Sequence, residues 1–443
     1  MSKLETKCLH AGYESAEATT HAHAVPLYRT ASYRFDSTEQ AANLFTLKEL
    51  GNIYTRLMNP TTDVLEQRVA AMEGGAAGLA LASGTSAIFY SIINLATSGD
   101  EIVSANNLYG GTYTQFNDIL PGFGINVKFV DPTDPQNYAV AITDKTKALY
   151  AESIGNPLLD VVDIQAIADI AHAHGLPLIV DSTFSTPALS RPLEHGADIV
   201  VHSLTKWLGG HGTGIGGIVV DSGRFDWTTG KHPLLSDPEP SYWNVSFAND
   251  LGDLAPLAYI LRMRLIPLRN LGACISPDNA WTALQGIETL PLRMERHSEN
   301  GLAVARHLEG HDKVDWVRHP ALESDPSYEL AKKYLPDGAG GMVVFGIKGG
   351  QEAGRKFIEN LGLFSHLANV GDARSLAIHP ASTTHSQLTE EQQAAGRITP
   401  DLVRLSVGLE HIDDILSELS DTPVLPAEIA ASNESAEADP RHR

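Results

Sequence analysis

From residue 62 onward, short apolar runs alternate with amphipathic stretches. Runs at 78–82, 101–104, 127–130, 148–151, 178–180, 199–202 and 217–220 have the length of strands. They are too continuously apolar for a sheet with one wet face, and fit strands buried on both sides. Helical patterns lie between several of them. The clearest covers 164–174 and is stopped by Gly175. An earlier one carries Leu65, Val69 and Met72 on one face and stops at Gly74 and Gly75. Strands alternating with helices predict βαβ units, hence an α/β domain with a mostly parallel sheet covered by helices on both faces.

The texture differs on either side of this region. Residues 25–35 combine Pro26, aromatics and arginines without a period. A short helix is expected over 37–50, with Ser37 and Gln40 spaced as a capping box. Residues 52–62 are polar and include Tyr54, Arg56 and Asn59-Pro60-Thr61. The aromatic content argues for an arm docked on some surface rather than a disordered lead. After about residue 281, a helical pattern at 292–308, strand patterns at 342–347 and 402–407 and a helix at 412–419 predict a smaller α+β domain. Residues rich in Ala, Glu and Ser follow and read as a flexible tail. The expected division is an arm at 1–61, a ligand-binding α/β domain at 62–280, an α+β domain at 281–424 and a tail at 425–443.

Charge narrows the function classes. The chain has 443 residues, with 32 Lys and Arg against 54 Asp and Glu, a net charge of −22. No basic run appears, and such a field repels phosphate backbones, so no nucleic-acid partner is expected. An anionic ligand would need local positive groups and backbone N–H donors. The two cysteines, Cys8 and Cys274, are few enough for a reducing compartment. Residues 1–10 lack the apolar core of a secretion signal, and no apolar stretch reaches membrane length. A cytoplasmic protein off the membrane is expected. The 18 histidines fall into no zinc spacing, so no metal is expected. His172 and His174 stand two apart in a helical pattern and point in different directions.

Five segments carry candidate chemistry. Lys206 follows the apolar run 199–202, flanked by Ser203 and Thr205 and then by glycines. Ligands bind at strand ends of parallel sheets. A lysine there is either a desolvated nucleophile and imine former, or a side chain snorkelling to water. Asp181 ends the run 178–180, about one strand–connection–strand unit earlier. Its carboxylate suits a pyridine nitrogen, or merely caps the next turn. Ser83-Gly84-Thr85-Ser86 runs from a strand into a helix, either an anion cradle or an ordinary N-cap. Tyr109-Gly110-Gly111 follows another strand, and the ring could stack on an aromatic cofactor or simply mark a turn. Arg374 and Arg404 lie in the C-terminal region, with Arg404 between apolar strand residues, where it needs a carboxylate from a substrate or from the protein. The glycine run 211–217 precedes a strand instead of opening a helix, which excludes a dinucleotide fingerprint.

Taken together, Tyr54-Thr55-Arg56, Asn59-Pro60-Thr61, Ser83-Gly84-Thr85-Ser86-Ala87, Tyr109-Gly110-Gly111-Thr112, Glu152 with Asn156-Pro157, Asp181 with Thr183, Ser203-Leu204-Thr205-Lys206 and Arg404-Leu405-Ser406-Val407-Gly408 resemble the Cys/Met-metabolism enzymes that use pyridoxal 5′-phosphate. The resemblance runs in order from about Thr6 to about Ser420. It implies the aspartate-aminotransferase-like architecture (fold type I), with Lys206 binding the cofactor covalently and shuttling protons. Asp181 would pair with the pyridine nitrogen and Tyr109 would stack on the ring. Gly84, Thr85, Ser203 and Thr205 would hold the phosphate. Asn156 would touch the ring hydroxyl, and Tyr54 and Arg56 would reach the phosphate of a neighbouring subunit. Arg404, with Ser375, would bind the substrate carboxylate. The family is typically a homotetramer, a dimer of dimers with shared active sites.

Within it, the length and the segment 369–380 are closest to the O-acetylhomoserine sulfhydrylase branch. That branch makes homocysteine from O-acetylhomoserine and sulfide in methionine biosynthesis. Gly111, where methionine γ-lyases usually have cysteine, argues against that sister activity. Cystathionine γ-synthase, O-succinylhomoserine sulfhydrylase and cystathionine γ-lyase are the other reactions of transsulfuration type on this scaffold. A non-catalytic nucleotide-binding protein is the remote alternative. Ala373 and Ile154-Gly155 depart slightly from close sulfhydrylases.

Overall fold

A computed structural model describes residues 2–383, 393 and 397–422. The tail expected at 425–443 lies outside the described residues. The chain divides into two compact units, Met1–Asn156 with Val161–Leu292, and Pro157–Asp160 with Arg293–Arg443.

The first unit opens with helix α1 (Leu4–His10) and helix α2 (Thr38–Phe45). Ser37 caps α2 by accepting the Gln40 N–H at 3.0 Å, and the Gln40 side chain returns to the Asp36 N–H at 2.8 Å. The helix stops well before residue 50, because the chain turns left-handed at Leu47. Helix α3 (Pro60–Glu73) starts at the Asn59 cap with proline in its first turn and stops at Gly74 in the left-handed conformation. Part of the predicted arm docks on its own chain. Cys8 of α1 is buried, Arg68 of α3 donates to the Ala11 carbonyl at 3.0 Å, and Trp281 donates to the Val25 carbonyl at 3.1 Å.

Seven strands build the main sheet: β1 (Ala77–Leu81), β2 (Glu101–Ala105), β3 (Asn126–Val130), β4 (Thr146–Glu152), β5 (Leu178–Asp181), β6 (Ile199–Ser203) and β7 (Gly217–Asp221). Their order is β1-β7-β6-β5-β4-β2-β3. The pairs from β6 across to β3 are parallel, and β7 runs antiparallel to both β6 and β1. Ile102, Leu149, Ile179, Val200 and Val219 in the middle of the strands are fully buried. Helices α4 (Gly84–Ile93) and α5 (Gly110–Thr114) follow β1 and β2. The helix expected at 164–174 is Ile164–Ala173, with Gly175 left-handed after it.

The second unit has a five-stranded sheet of β8 (Val314–Arg318), β9 (Met342–Ile347), β10 (Ser365–His366), β11 (Leu376–Ile378) and β12 (Leu402–Ser406), in the order β10-β11-β12-β9-β8. All its pairs are antiparallel except β10–β11. Val304, Leu308, Phe345, Phe357, Val403, Leu405, Ile415 and Leu419 form its core. The division falls at Leu292 rather than near residue 281, because helix Pro277–Glu288 packs on α3 and α1 in the first unit.

Candidate active site

Parallel strands bring their C-terminal ends to one edge, and the polar residues closing β4, β5 and β6 collect there. Asp181 closes β5 next to Glu152 of β4 and Val201 of β6. Its Oδ1 accepts the Thr183 N–H at 2.9 Å, and the Thr183 hydroxyl in turn accepts the Ser203 N–H at 2.9 Å. The ends of β5 and β6 are thus tied together where Asp181 and Ser203 stand. Burial pushes the Asp181 carboxyl above its usual range, against the pull of its Thr183 bonds, His202 and Tyr150. Behind it, His202 of β6 is fully buried, with Nε2 2.5 Å from the equally buried Glu73 carboxylate.

Lys206 lies in the wide, π-helical turn Leu204–Leu208 that follows β6, and is half-buried. The backbone leaves the helical conformation at this residue, with φ −92° and ψ −136°. Beside it, Trp207 is fully buried and meets Phe184 edge to face at 5.2 Å. The lysine therefore sits on a turn anchored by a large aromatic neighbour.

The N-terminus of α4 meets the same edge. Ser83 caps it, accepting the Ser86 N–H at 3.1 Å, and its hydroxyl lies 2.9 Å from that of Thr85. Gly84 is pressed on Ser203: a Cβ there would come 2.8 Å from the serine Cβ. Gly217, which opens β7, passes so close to Ser83 that a Cβ would stand 2.1 Å from its carbonyl oxygen. Only glycine permits that approach. The Thr205 hydroxyl accepts the Gly216 N–H at 3.2 Å. Gly84, Thr85, Ser203 and Thr205 thus surround one helix N-terminus, whose free N–H groups and dipole favour a phosphate.

Tyr109 stands at the start of α5, half exposed, with its N–H donated to Glu152 Oε1 at 2.7 Å. Asn156 is buried and donates its N–H to the Asn107 carbonyl at 3.1 Å. Gly155 explains one departure in the sequence: a Cβ there would come 2.2 Å from Asn107 Nδ2. Tyr54 and Arg56 are both exposed, the guanidinium 5.3 Å from the tyrosine ring centroid. The first stretch of the arm docks on its own chain while these two side chains face outward.

The second unit holds the remaining candidates. Arg404 of β12 is 7% exposed, between partners on β9 and β11. Ser375 is fully buried. Its hydroxyl donates to Glu410 at 2.9 Å and accepts the Gly408 N–H at 2.9 Å, and its own N–H goes to Glu410 at 2.7 Å. Ser375 thereby fixes the loop after β12, a local role the sequence did not disclose. Arg374 is exposed.

A phosphate cradle, a carboxylate for a ring nitrogen, a lysine on an anchored turn and an open tyrosine ring are the parts that pyridoxal phosphate requires, and the residues present fit it. The sequence profile of the Cys/Met metabolism PLP-dependent enzymes matches residues 5–422. The chain belongs to this family. It is 56% identical over 425 residues to an O-acetyl-L-homoserine sulfhydrylase of Leptospira meyeri, covering 95% of this chain and 96% of that one. It is 51% identical to O-acetyl-L-homoserine sulfhydrylase 1 of Thermus thermophilus, covering 95% and 99%, and 51% identical to a homocysteine synthase of Schizosaccharomyces pombe, covering 94% and 97%. Among solved structures, a crystal structure assigned to an O-acetylhomoserine (thiol)-lyase of Campylobacter jejuni matches with a TM-score of 0.91 and 41% identity, covering 95% of this chain and 99% of that one. That protein carries an N′-pyridoxyl-lysine-5′-monophosphate at position 205 of its own chain.

As a PLP-dependent enzyme of fold type I, the chain uses pyridoxal phosphate. Reading the sequence missed two residues of the site. Thr183 and Glu152 both belong to the motifs that carry the family resemblance, but neither had a role there; Thr183 links β5 to β6. Glu152 ends β4 beside Asp181, and its signal was an acidic residue closing an apolar run one strand away. Among the described residues, no group of His, Cys, Asp and Glu could hold a metal ion, and no helix is long and apolar enough to cross a membrane.

Proposed function

We propose that this PLP-dependent enzyme converts O-acetyl-L-homoserine and sulfide to L-homocysteine and acetate, a step of methionine biosynthesis and of transsulfuration type. The full-length similarity to relatives named for this activity carries the reading, at 51–56% identity.

Pyridoxal phosphate supplies an electron sink that makes the substrate's Cα and Cβ protons removable. The protein does the rest. The Lys206 amine holds the cofactor, then takes the Cα proton as base. Asp181 stays anionic and keeps the pyridine nitrogen protonated. Gly84, Thr85, Ser203 and Thr205 hold the phosphate at the α4 N-terminus, Tyr109 covers the ring, and Asn156 faces its hydroxyl. Arg404, on strand β12 whose following loop Ser375 braces, takes the substrate α-carboxylate. Acetate leaves Cγ and the sulfide sulfur takes its place. The exposed Tyr54 and Arg56 are assigned to the phosphate of a neighbouring copy, in a homotetramer built from dimers that share active sites and working in the cytoplasm.

The test is product analysis of the purified, cofactor-loaded enzyme with O-acetylhomoserine and sulfide. Homocysteine and acetate in equal amounts are expected. Cystathionine from cysteine, turnover restricted to O-succinylhomoserine, or 2-oxobutyrate and ammonia would replace this reading by a sister reaction.

A further inference from the structure

Glu152 is a buried acid to which the proposed chemistry gives no task. It closes β4, is 6% exposed, and stands directly beside Asp181 across the parallel β4–β5 pair. Residues paired in this way project to the same face, about 4.8 Å apart. Its Oε1 accepts the Tyr109 N–H at 2.7 Å, the contact that fastens the start of α5 to the sheet. One turn further on, the Asn156 N–H grips the Asn107 carbonyl, so the loop before Tyr109 is held at two points.

The groups around this carboxyl decide its charge. Asp181 faces it from β5, Tyr109 bonds it from the α5 end, the buried Tyr150 lies on the same face of its own strand, and His202 lies beyond Asp181 on β6. Burial and the Asp181 charge push its pKa well above the usual carboxylate range, against the pull of the Tyr109 N–H. Two carboxylates on neighbouring strands in an apolar sheet do not both ionise. Asp181 has the better claim to the charge, with the Thr183 N–H and hydroxyl, Tyr150 and His202 all favouring its anion. Glu152 has one N–H.

We propose that Glu152 is a positioning residue that, in its neutral form, holds the backbone of Tyr109 and with it the stacking ring, leaving Asp181 the single anion available to the cofactor's pyridine nitrogen. The inference rests on Tyr109 as the residue that covers the ring. A protonated Glu152 can accept the Tyr109 N–H on one oxygen without placing a second charge beside Asp181. An ionised Glu152 would add a negative field at the cofactor and raise the pH at which the lysine-bound cofactor loses its proton.

Wild type, Glu152→Gln, Glu152→Ala and Tyr109→Ala, each purified with bound cofactor, separate the possibilities. The readouts are the pH titration of the visible absorption band, the visible circular dichroism of that band, and the cofactor dissociation constant after resolution and reconstitution. Glutamine mimics a neutral Glu152, so Glu152→Gln should titrate at the wild-type pH with wild-type dichroism. Alanine removes the anchor, so Glu152→Ala should weaken cofactor binding about tenfold, the scale of one lost buried hydrogen bond, and shrink the dichroism as Tyr109→Ala does. A downward shift of the Glu152→Gln midpoint by about one pH unit or more, as expected on removing a nearby negative charge, would show an ionised Glu152 and overturn the proposal. So would a Glu152→Ala enzyme with wild-type affinity and dichroism while Tyr109→Ala is impaired. If Tyr109→Ala is itself unimpaired, the stacking role of Tyr109 fails instead, and the inference falls with it. Glu152→Gln is isosteric with the neutral acid, so the titration decides the charge even if Glu152→Ala fails to fold.

Discussion

The ring of Tyr109 lies across Gly111: a Cβ built on that glycine would stand 2.5 Å from Cε1 and 3.1 Å from Cζ of the tyrosine. The ring is the movable partner, so a side chain at 111 should displace it without unfolding the enzyme. Gly111→Ala is expected to lower cofactor affinity and kcat/KM by about tenfold, since overpacking of this kind costs about 1–3 kcal/mol. Thermal stability should change little. Cofactor titration and visible circular dichroism check this; wild-type values of both would show that the ring does not need its present place.

Asp181 is costly to the empty protein, and the proposed mechanism makes it necessary to the loaded one. Burial raises its folded-state pKa above the unfolded value, so its contribution to stability is fully present below the unfolded pKa and is lost as pH rises through the folded one. Above the unfolded pKa the buried carboxyl therefore destabilises the cofactor-free fold relative to a neutral side chain. Asp181→Asn should raise the melting temperature of the apoenzyme at pH 7.5 while cutting kcat by about 10²-fold or more, the scale of a lost proton-managing group. Calorimetry of the apoenzyme and steady-state kinetics of the loaded one test the two halves separately.

A second buried carboxyl gives a pH signature away from the chemistry. Asp221 ends β7, accepts the Gly223 N–H at 2.9 Å, and has its pKa pushed up to about 7 by burial, with Asp198 adding to the shift. The folded pKa is the higher one, so this residue's stability contribution is lost as pH rises from about 4 towards about 7. Asp221→Asn mimics the protonated form and keeps the acceptor for Gly223. Its melting temperature should match wild type below about pH 4 and exceed it increasingly up to pH 8, by roughly 1 kcal/mol or more in stability. An equal difference at both ends of this range would contradict the assignment.

A variant at Arg404 tests whether substrate binding separates from cofactor binding. Arg404 is nearly buried in β12 and is assigned the α-carboxylate. Arg404→Lys keeps the charge but loses the bidentate fork, so KM for the amino-acid substrate should rise at least about tenfold. The cofactor dissociation constant should stay at the wild-type value. Kinetics at saturating sulfide, with cofactor titration in parallel, check the split.

Much of this fold is legible in the sequence because the main sheet is buried on both faces and its strands are almost wholly apolar. Each of the seven expected strands is present. At the ends of β5, β6 and β7 the apolar pattern stops one residue short, at Asp181, Ser203 and Asp221. The same happens at Glu152 of β4. These polar closing residues belong to the strands by hydrogen bonding but not by pattern, and three of them stand at the active-site edge. In the second unit, β8 was not expected, because Asp315 and Arg318 break its apolar run. The segment β11 is three residues long, too short for any period to register. Lys206 and Asp181 stand out as candidates by position, each following an apolar run, while their roles came only with the family resemblance. The pairing of Glu152 with Tyr109 could not be read, since it joins residues far apart in sequence through a backbone N–H that leaves no trace in residue type.

The most direct test of the account is borohydride reduction of the cofactor-loaded protein followed by peptide mapping. One pyridoxyl group is expected, on Lys206, and no labelling in Lys206→Ala. A pyridoxyl group on another lysine, or none after saturation with pyridoxal phosphate, would contradict it.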